Sequence, residues 1–333
     1  MKTIAVVLLN YNGIALLEQF LPKVVEYSPE ASIYLIDNKS NDASVAWVKE
    51  NHPSIQCIEL NQNLGYAGGY NEGLKQIEAE IYCLLNTDVL VTSNWLPPLL
   101  DHFKSHPKTA ILQPHILDFK KPSHFEYAGA AGGFIDKNGV PYCRGRLFST
   151  LEEDLGQYDA PTPIFWASGA CFFIRSEQFW ELNGFDAEFF AHQEEIDLCW
   201  RIHNQGYKTM AIGKVKVYHV GGATLAPSPR KTFLNHRNSL WMLTKNLPKN
   251  ELYLRLFVRM CWDGLAGIYY FLGFNFSSTW AIIKAHLAFY NGFNSMLKKR
   301  NAKTQDADYF QVKNVVLKYF LYKKLNFKDL NKE

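Results

Sequence analysis

From Thr3 the chain runs apolar through "TIAVVLL", breaks at Asn10-Tyr11-Asn12, and resumes with Leu16, Leu17, Phe20, Val24 and Val25. The first pattern predicts a strand covered on both faces. The second recurs at helical spacing. The alternation continues through strand-like "SIYLIDN", a helix over 42–51, strand-like "IQCIEL", a Gly-rich turn leading into helical "YNEGLKQIEAE", and strand-like "IYCLLN". This β-α-β-α-β-α-β rhythm predicts a mostly parallel sheet with helices on both faces.

The middle of the chain changes character. "FWASGACFFIR" reads as a strand with Gly169 at a close backbone approach. "GFDAEFFAHQEEIDLCWRIHNQGY" reads as a loop, an acidic helix start and a stop at Gly206. "TMAIGKVKVYHVGG" reads as another strand, ending at His219 and the pair Gly221-Gly222. Beyond Pro229 four segments read as helices, the last being "DYFQVKNVVLKYFLYKKL". The change of pattern and the "APSPR" segment divide the chain into 1–229 and a helical region, 230–333.

Parallel sheets bind ligands beyond the carboxyl ends of their strands. Four strand ends here are polar: Asn10-Tyr11-Asn12, Asp37-Asn38, Asn61 to Asn63, and Asn86-Thr87-Asp88. The topology gathers them at one edge, where a cation or solvent can satisfy Asp88. As ordinary structure, Asp88 would cap the helix predicted at "SNWLPPLL" and His219 would be a hydrogen-bonded core histidine. As chemistry, Asp88 supplies a hard oxygen ligand for Mg2+ or Mn2+ beside a nucleotide diphosphate, and His219 a nitrogen ligand.

In "HQEEIDLCWR" a helix puts Glu194, Asp197 and Arg201 on one face, with Glu195 about 100° round the axis. Acids in a first turn complement the helix dipole, and Asp197 with Arg201 is an ordinary i, i+4 pair. Two adjacent glutamates after a Gly-aromatic loop are less well explained that way. One could act as a general base beside an acceptor hydroxyl. "NQNLGYAGGYNEGL" offers Gly65, Gly68 and Gly69 for a tight turn. It matches neither a Walker loop nor GxGxxG.

Composition sets limits. The 333 residues are 47% hydrophobic and 15% aromatic, enough for a sizeable core. A formal net charge of +3 gives no support for nucleic acid as a partner. Six cysteines without a CxxC pair read as reduced thiols of a cytoplasmic protein. The opening apolar run is short and lacks a small-residue cleavage site, so it reads as a strand and not as a signal peptide.

In order along 3–225, "VVLLNYNG", "LIDNKSND", "NQNLGYAGGYNEGL", "LLNTDV", "ASGACFFIR", "GFDAEFFAHQEEIDLCWR", "GYK" and "VYHVGG" together resemble family 2 inverting glycosyltransferases. The resemblance is to the bacterial rhamnosyltransferase-like group that builds surface polysaccharides, and "HRNSLW" is similar to a further piece of that group. It implies a GT-A fold, Rossmann-like, followed by the helical region. It implies sugar transfer from a UDP- or dTDP-sugar to a hydroxyl of a glycan or lipid-linked acceptor, aided by a divalent metal (Mg2+ or Mn2+). By the same resemblance Asn10, Tyr11, Asp37, Asn63, Asn71 and Asn86 lie against the nucleotide sugar. Trp166, Gly169 and Ala170 line the sugar or acceptor pocket, Asp88 and His219 bind metal, and Glu194-Glu195 is the acidic pair with Glu195 as base. Asn86 stands where the DxD element usually begins with Asp, and Glu195 where Asp is usual. The alternatives are a non-catalytic nucleotide-sugar binding or scaffold protein, and a nucleotidyltransferase. The second would carry a basic Gly-rich loop after the first strand, and "NYNGIALLEQF" has no basic residue.

The stretch from Gly264 to Ile283 is uncharged but interrupted by Asn275, Ser277, Ser278 and Thr279. Two short helices fit it better than one spanning helix. Flanking Arg255, Arg259, Lys284, Lys298, Lys299 and Arg300 suit the anionic inner face of the cytoplasmic membrane. The plain alternative is a soluble helical subdomain.

Overall fold

The computed structural model describes residues 3–221, 228–300 and 309–330; Gly222, the first two residues of "APSPR" and Asp308 lie outside these. The chain begins β1 (Ile4–Asn10), α1 (Ile14–Tyr27), β2 (Ala31–Asp37), α2 (Ser44–Asn51), β3 (Gln56–Glu59), α3 (Gly65–Leu74) and β4 (Ile81–Asn86). Strand β1 pairs in parallel with β2 and β4, and β2 with β3, so the order 3-2-1-4 carries all four polar strand ends on one edge. Both faces of β1 are buried. Ile4, Val6 and Leu8 pack with Leu17 and Leu21 of α1, while Ala5 and Val7 pack with Ala67 and Tyr70 of α3.

The next elements are β5 (Val89–Leu90), α4 (Leu96–Ser105) and β6 (Thr109–Asp118). A second, four-stranded antiparallel sheet follows: β7 (Gly133–Ile135), β8 (Pro141–Cys143), β9 (Arg146–Leu147) and β10 (Thr150–Leu151). Then come β11 (Thr162–Ile164), β12 (Cys171–Arg175), α5 (Ser176–Glu181), α6 (Glu194–Asn204) and β13 (Lys208–His219). Strand β12 inserts antiparallel between β4 and β6; β13 runs parallel to β6 and antiparallel to β11 and β5. The main sheet is therefore parallel through its first half and mixed beyond β4.

Helices α7 (Pro229–Asn246), α8 (Leu252–Leu272), α9 (Phe276–Lys298) and the short α10 (Val315–Phe320) complete the described chain. Ser228 caps α7 by accepting from Lys231 N, with Pro229 in the first turn, where its missing N–H costs nothing. Leu240, Met242 and Leu243 of α7 join the same core as α3 and the small sheet.

Several expectations shift. Gly65 opens α3 and Gly68 and Gly69 lie inside it, so they form a helix start and not a turn. Helix α4 begins at Leu96, too far on for Asp88 to cap it. Residues 166–170 turn before β12 starts. The helix read across "DYFQVKNVVLKYFLYKKL" shrinks to α10. Tyr309 and Val312 are buried as anchors, Asn314 caps the helix, and Lys323 adopts φ 55° beyond it. Tertiary anchoring here overrides local propensity. Among the described residues no helix is long and apolar enough to cross a membrane.

Candidate active site

Asp88 sits in the turn between β4 and β5. Because β5 pairs antiparallel with β13, His219 stands opposite Val89, and its Nε2 comes 3.1 Å from Asp88 Oδ1. Glu126, which the sequence did not single out, brings Oε2 to 3.3 Å from His219 Nδ1. All three are buried. Burial disfavours a charged imidazole, but the two carboxylates outweigh it and raise the His219 pKa to about 10. Asp88 Oδ2 is buried without a hydrogen-bond partner among the described residues, and Oδ1 meets only the His219 imidazole. An unpartnered buried Asp88 oxygen, a second carboxylate and an imidazole that can ligate once it gives up its proton fit a divalent cation of the Mg2+ or Mn2+ kind.

The nucleotide edge forms across the parallel strands. Asn10 Nδ2 donates to Asp37 Oδ1 and Ser40 Oγ at 3.1 Å each, and its own buried Oδ1 lacks a donor among the described residues. Asp37 Oδ2 accepts from Ser40 N at 2.9 Å. Asn38, at the polar end of β2, donates to Asn63 Oδ1 and Gly65 O and accepts from Leu64 N, tying β2 to the start of α3. Tyr11 lies exposed beside this edge. Asn86 closes β4, its N–H donating to Ala170 O at 3.0 Å.

Two sequence candidates are used elsewhere. Asn71 donates to Phe185 O at 2.7 Å and accepts from Phe185 N at 3.0 Å. It clamps the loop before α6 with both ends of its amide, which leaves a nucleotide poorly served. Trp166 donates its indole N–H to Phe134 O at 2.9 Å and packs on Gly133, where any Cβ would collide with the ring. It joins the two sheets and offers no polar group to a sugar. Gly169 and Ala170 do reach the edge. Gly169 O accepts from Tyr66 Oη at 2.8 Å, and a Cβ at Gly169 would meet that hydroxyl at 2.8 Å.

Tyr66 leads to the acidic pair. Burial first, then its neighbours Tyr70, Glu194 and Glu195, push its hydroxyl well above the ordinary range. Glu194 and Glu195 open α6. Burial raises both carboxyls, Glu194 well above the ordinary range with further help from Glu195, and Glu195 to about 7. Each has one oxygen, Oε2, that is buried without a hydrogen-bond partner among the described residues. Glu195 is the less buried of the two.

The loop before α6 is held under backbone strain. Phe190, His192 and Gln193 all take positive φ, 65°, 71° and 73°. Such strain persists only where surroundings over-determine it. Phe190 O accepts from Tyr66 N and Ala67 N at the start of α3, and Gly65 lets it approach because a Cβ there would lie 2.4 Å from that oxygen. From the other side Asn238 Nδ2 donates to Phe189 O, Ala191 O and His192 O at 2.7–2.9 Å. This is the structural meaning of "HRNSLW". Asp197 is fully buried and engaged by Arg201, Lys245 and Asn246, so it serves structure and not proton transfer.

Residues 5–182 match the family profile described as "Glycosyl transferase family 2". An N-acetylglucosaminyl-diphospho-decaprenol L-rhamnosyltransferase of Mycobacterium tuberculosis is 23% identical over 252 residues, covering 71% of this chain and 82% of its own. The N-acetylgalactosaminyltransferase 6 of Drosophila melanogaster is 26% identical over 259 residues, covering 73% of this chain and 38% of its own. Among solved structures, GalNAc-T7 with UDP, GalNAc and Mn2+ superposes with a TM-score of 0.58 at 18% identity, over 75% of this chain and 49% of that one. The Pyrobaculum calidifontis mannosyltransferase PcManGT, in complex with GDP-Man and Mn2+, gives 0.53 at 14% identity, over 89% of this chain and 83% of that one. The fold is that of the GT-A glycosyltransferases with a C-terminal helical region. With its profile match spanning more than half of the sequence, the chain belongs to glycosyl transferase family 2.

Proposed function

We propose that this glycosyltransferase moves a sugar from a UDP- or dTDP-sugar to a hydroxyl of a lipid-linked or glycan acceptor, in a single inverting displacement. Residues 1–229 form the GT-A unit and 230–333 the helical region that steadies it. Asn10, Tyr11, Asp37, Asn63 and Asn86 take the nucleotide sugar along the strand edge, with Asn38 fixing their spacing. Gly169 and Ala170 allow close approach of the sugar. Asp88 and His219, backed by Glu126, would hold a divalent cation, which would supply charge neutralisation to the leaving diphosphate.

Glu195 accepts the proton of the acceptor hydroxyl as that oxygen attacks the anomeric carbon. Its raised pKa keeps it basic enough for that transfer near neutral pH. Glu194, held protonated by burial, shields Glu195 from a second negative charge. The observation that carries this reading is the buried acidic pair at the end of a strained, doubly clamped loop. The inner face of the cytoplasmic membrane is the place of reaction that fits a lipid-linked acceptor.

The test is nucleoside diphosphate release from a panel of UDP-, dTDP- and GDP-sugars, with and without Mn2+ or Mg2+, for the native chain and Glu195→Gln. Metal-dependent release that Glu195→Gln abolishes supports the reading. Release unaffected by that substitution removes Glu195 from the mechanism.

A further inference from the structure

Helices α8 and α9 form an antiparallel hairpin whose turn stands away from the core. Every residue from Phe271 to Ser277 is exposed. Tyr269, Leu272 and Phe274 are 76%, 71% and 82% exposed, and Ile268, Phe271 and Phe276 exceed half. Apolar exposure on this scale marks an interaction surface. The tip is bare all round, and the exposed apolar surface continues down both helices through Phe257, Leu265, Trp280, Leu287 and Tyr290.

The turn is also prepared for loss of water. Gly273 N donates to Tyr269 O, Phe274 N to Phe271 O and Asn275 N to Tyr270 O. Asn275 Oδ1 accepts from Ser278 N and Ser277 Oγ, and Thr279 Oγ1 donates to Gly267 O. Asn275 Oδ1, Ser277 Oγ and Thr279 Oγ1 are thus engaged inside the hairpin, which lowers the cost of an apolar surrounding. Phe274 takes φ 58° at the apex, a position that a turn in water usually gives to Gly.

The charge pattern points the same way. Residues 264–283 carry no charge. Of the basic residues expected to meet anionic lipid, Arg255 pairs with Glu251, Arg259 with Asp263, and Lys299 with Asp186 and Glu188. Arg300 donates to Thr244 O and Leu247 O. Lys284 lies over the Trp280 ring, at the base of the uncharged tip. Lys298 is exposed and forms no ion pair among the described residues, so headgroup attraction rests on Lys284 and Lys298 and is secondary to apolar contact of the tip. The ten residues from Gly264 to the turn reach about 15 Å at 1.5 Å per residue, half of a hydrocarbon core of about 30 Å.

We infer that the α8–α9 tip inserts into one leaflet of a lipid bilayer, without crossing it, and binds through hydrocarbon contact more than through lipid charge. This rests on the membrane-side reading of the reaction and not on the transfer chemistry. Flotation of the full chain with phosphatidylcholine vesicles, and with vesicles also containing phosphatidylglycerol, tests it against the double substitution Leu272→Glu, Phe274→Glu. The native chain is expected to float with both vesicles, and the variant to lose about tenfold or more of its binding to each. Donor turnover with a water-soluble acceptor and the circular dichroism of the variant should match the native chain, which excludes misfolding as the cause. Equal flotation of both chains overturns tip insertion but leaves membrane placement standing. No flotation of the native chain overturns both. A lipid-independent dimer that the substitution dissolves, without vesicle binding, assigns the tip to a second copy and overturns the inference.

Discussion

Lys245 Nζ on α7 lies 2.8 Å from Asp197 Oδ2 on α6, with both side chains buried. Lys245 also reaches Asp186 at 2.8 Å, and Lys299 of the α9 C-cap reaches the same Asp186 at 2.7 Å. Burial alone would raise the Asp197 carboxyl, but Lys245 and Arg201 outweigh it and lower it. The helical region therefore braces the helix that carries Glu194 and Glu195. Lys245→Met leaves buried carboxylates short of one cation. It should lower unfolding free energy by about 3 kcal/mol, the scale for breaking a buried pair, as read by urea titration. A loss near zero would show that Arg201 and Lys299 suffice.

Asn238 grips three carbonyls of the strained loop with one amide nitrogen. Asn238→Ala should keep the fold and the donor KM but lower kcat by roughly ten- to a hundredfold, because a small misplacement of the base is costly. Asn238→Asp, which keeps the shape and removes the donors, should show the same split. A change confined to KM would place the residue in donor binding instead.

Glu195→Gln should cut transfer by about 10²- to 10⁴-fold, the usual contribution of a general base, while nucleotide binding measured by calorimetry stays intact. In the native enzyme the base form is the ionised one, and its pKa is raised to about 7. Activity should therefore rise with pH through about 7 and be lost below it. A flat profile from pH 6 to 8 would argue against Glu195 as base.

Asp88→Ala should remove metal-dependent turnover. Glu126→Gln takes away the carboxylate behind His219 and should weaken Mn2+ binding by about ten- to a hundredfold, as second-shell changes do. Mn2+ titration followed by electron paramagnetic resonance reads this directly. Unchanged Mn2+ affinity in both variants would move the metal elsewhere.

The alternation of apolar runs with helical spacing was enough to read the first four strands, because strands covered on both faces must be continuously apolar. The same parallel order puts Asn10, Asp37 and Asn63 at one edge, because the strand ends of a parallel sheet lie together. Local signals also located the start of α6 at the acidic pair and its stop near Gly206, which takes φ 81°. These features depend on neighbours in sequence, so sequence shows them.

Tertiary structure decided the rest. Glu126 carries no local motif, and it reaches His219 only because the chain returns to the sheet edge from β6. Asn71 and Trp166 looked like ligand contacts, yet distant carbonyls at Phe185 and Phe134 claim their polar groups. The short strands of the second sheet have too few residues for a period to show. The bracing of α6 by Lys245 joins side chains 48 positions apart. Such partnerships depend on burial and distance in the folded chain, which the order of residues along it does not encode locally.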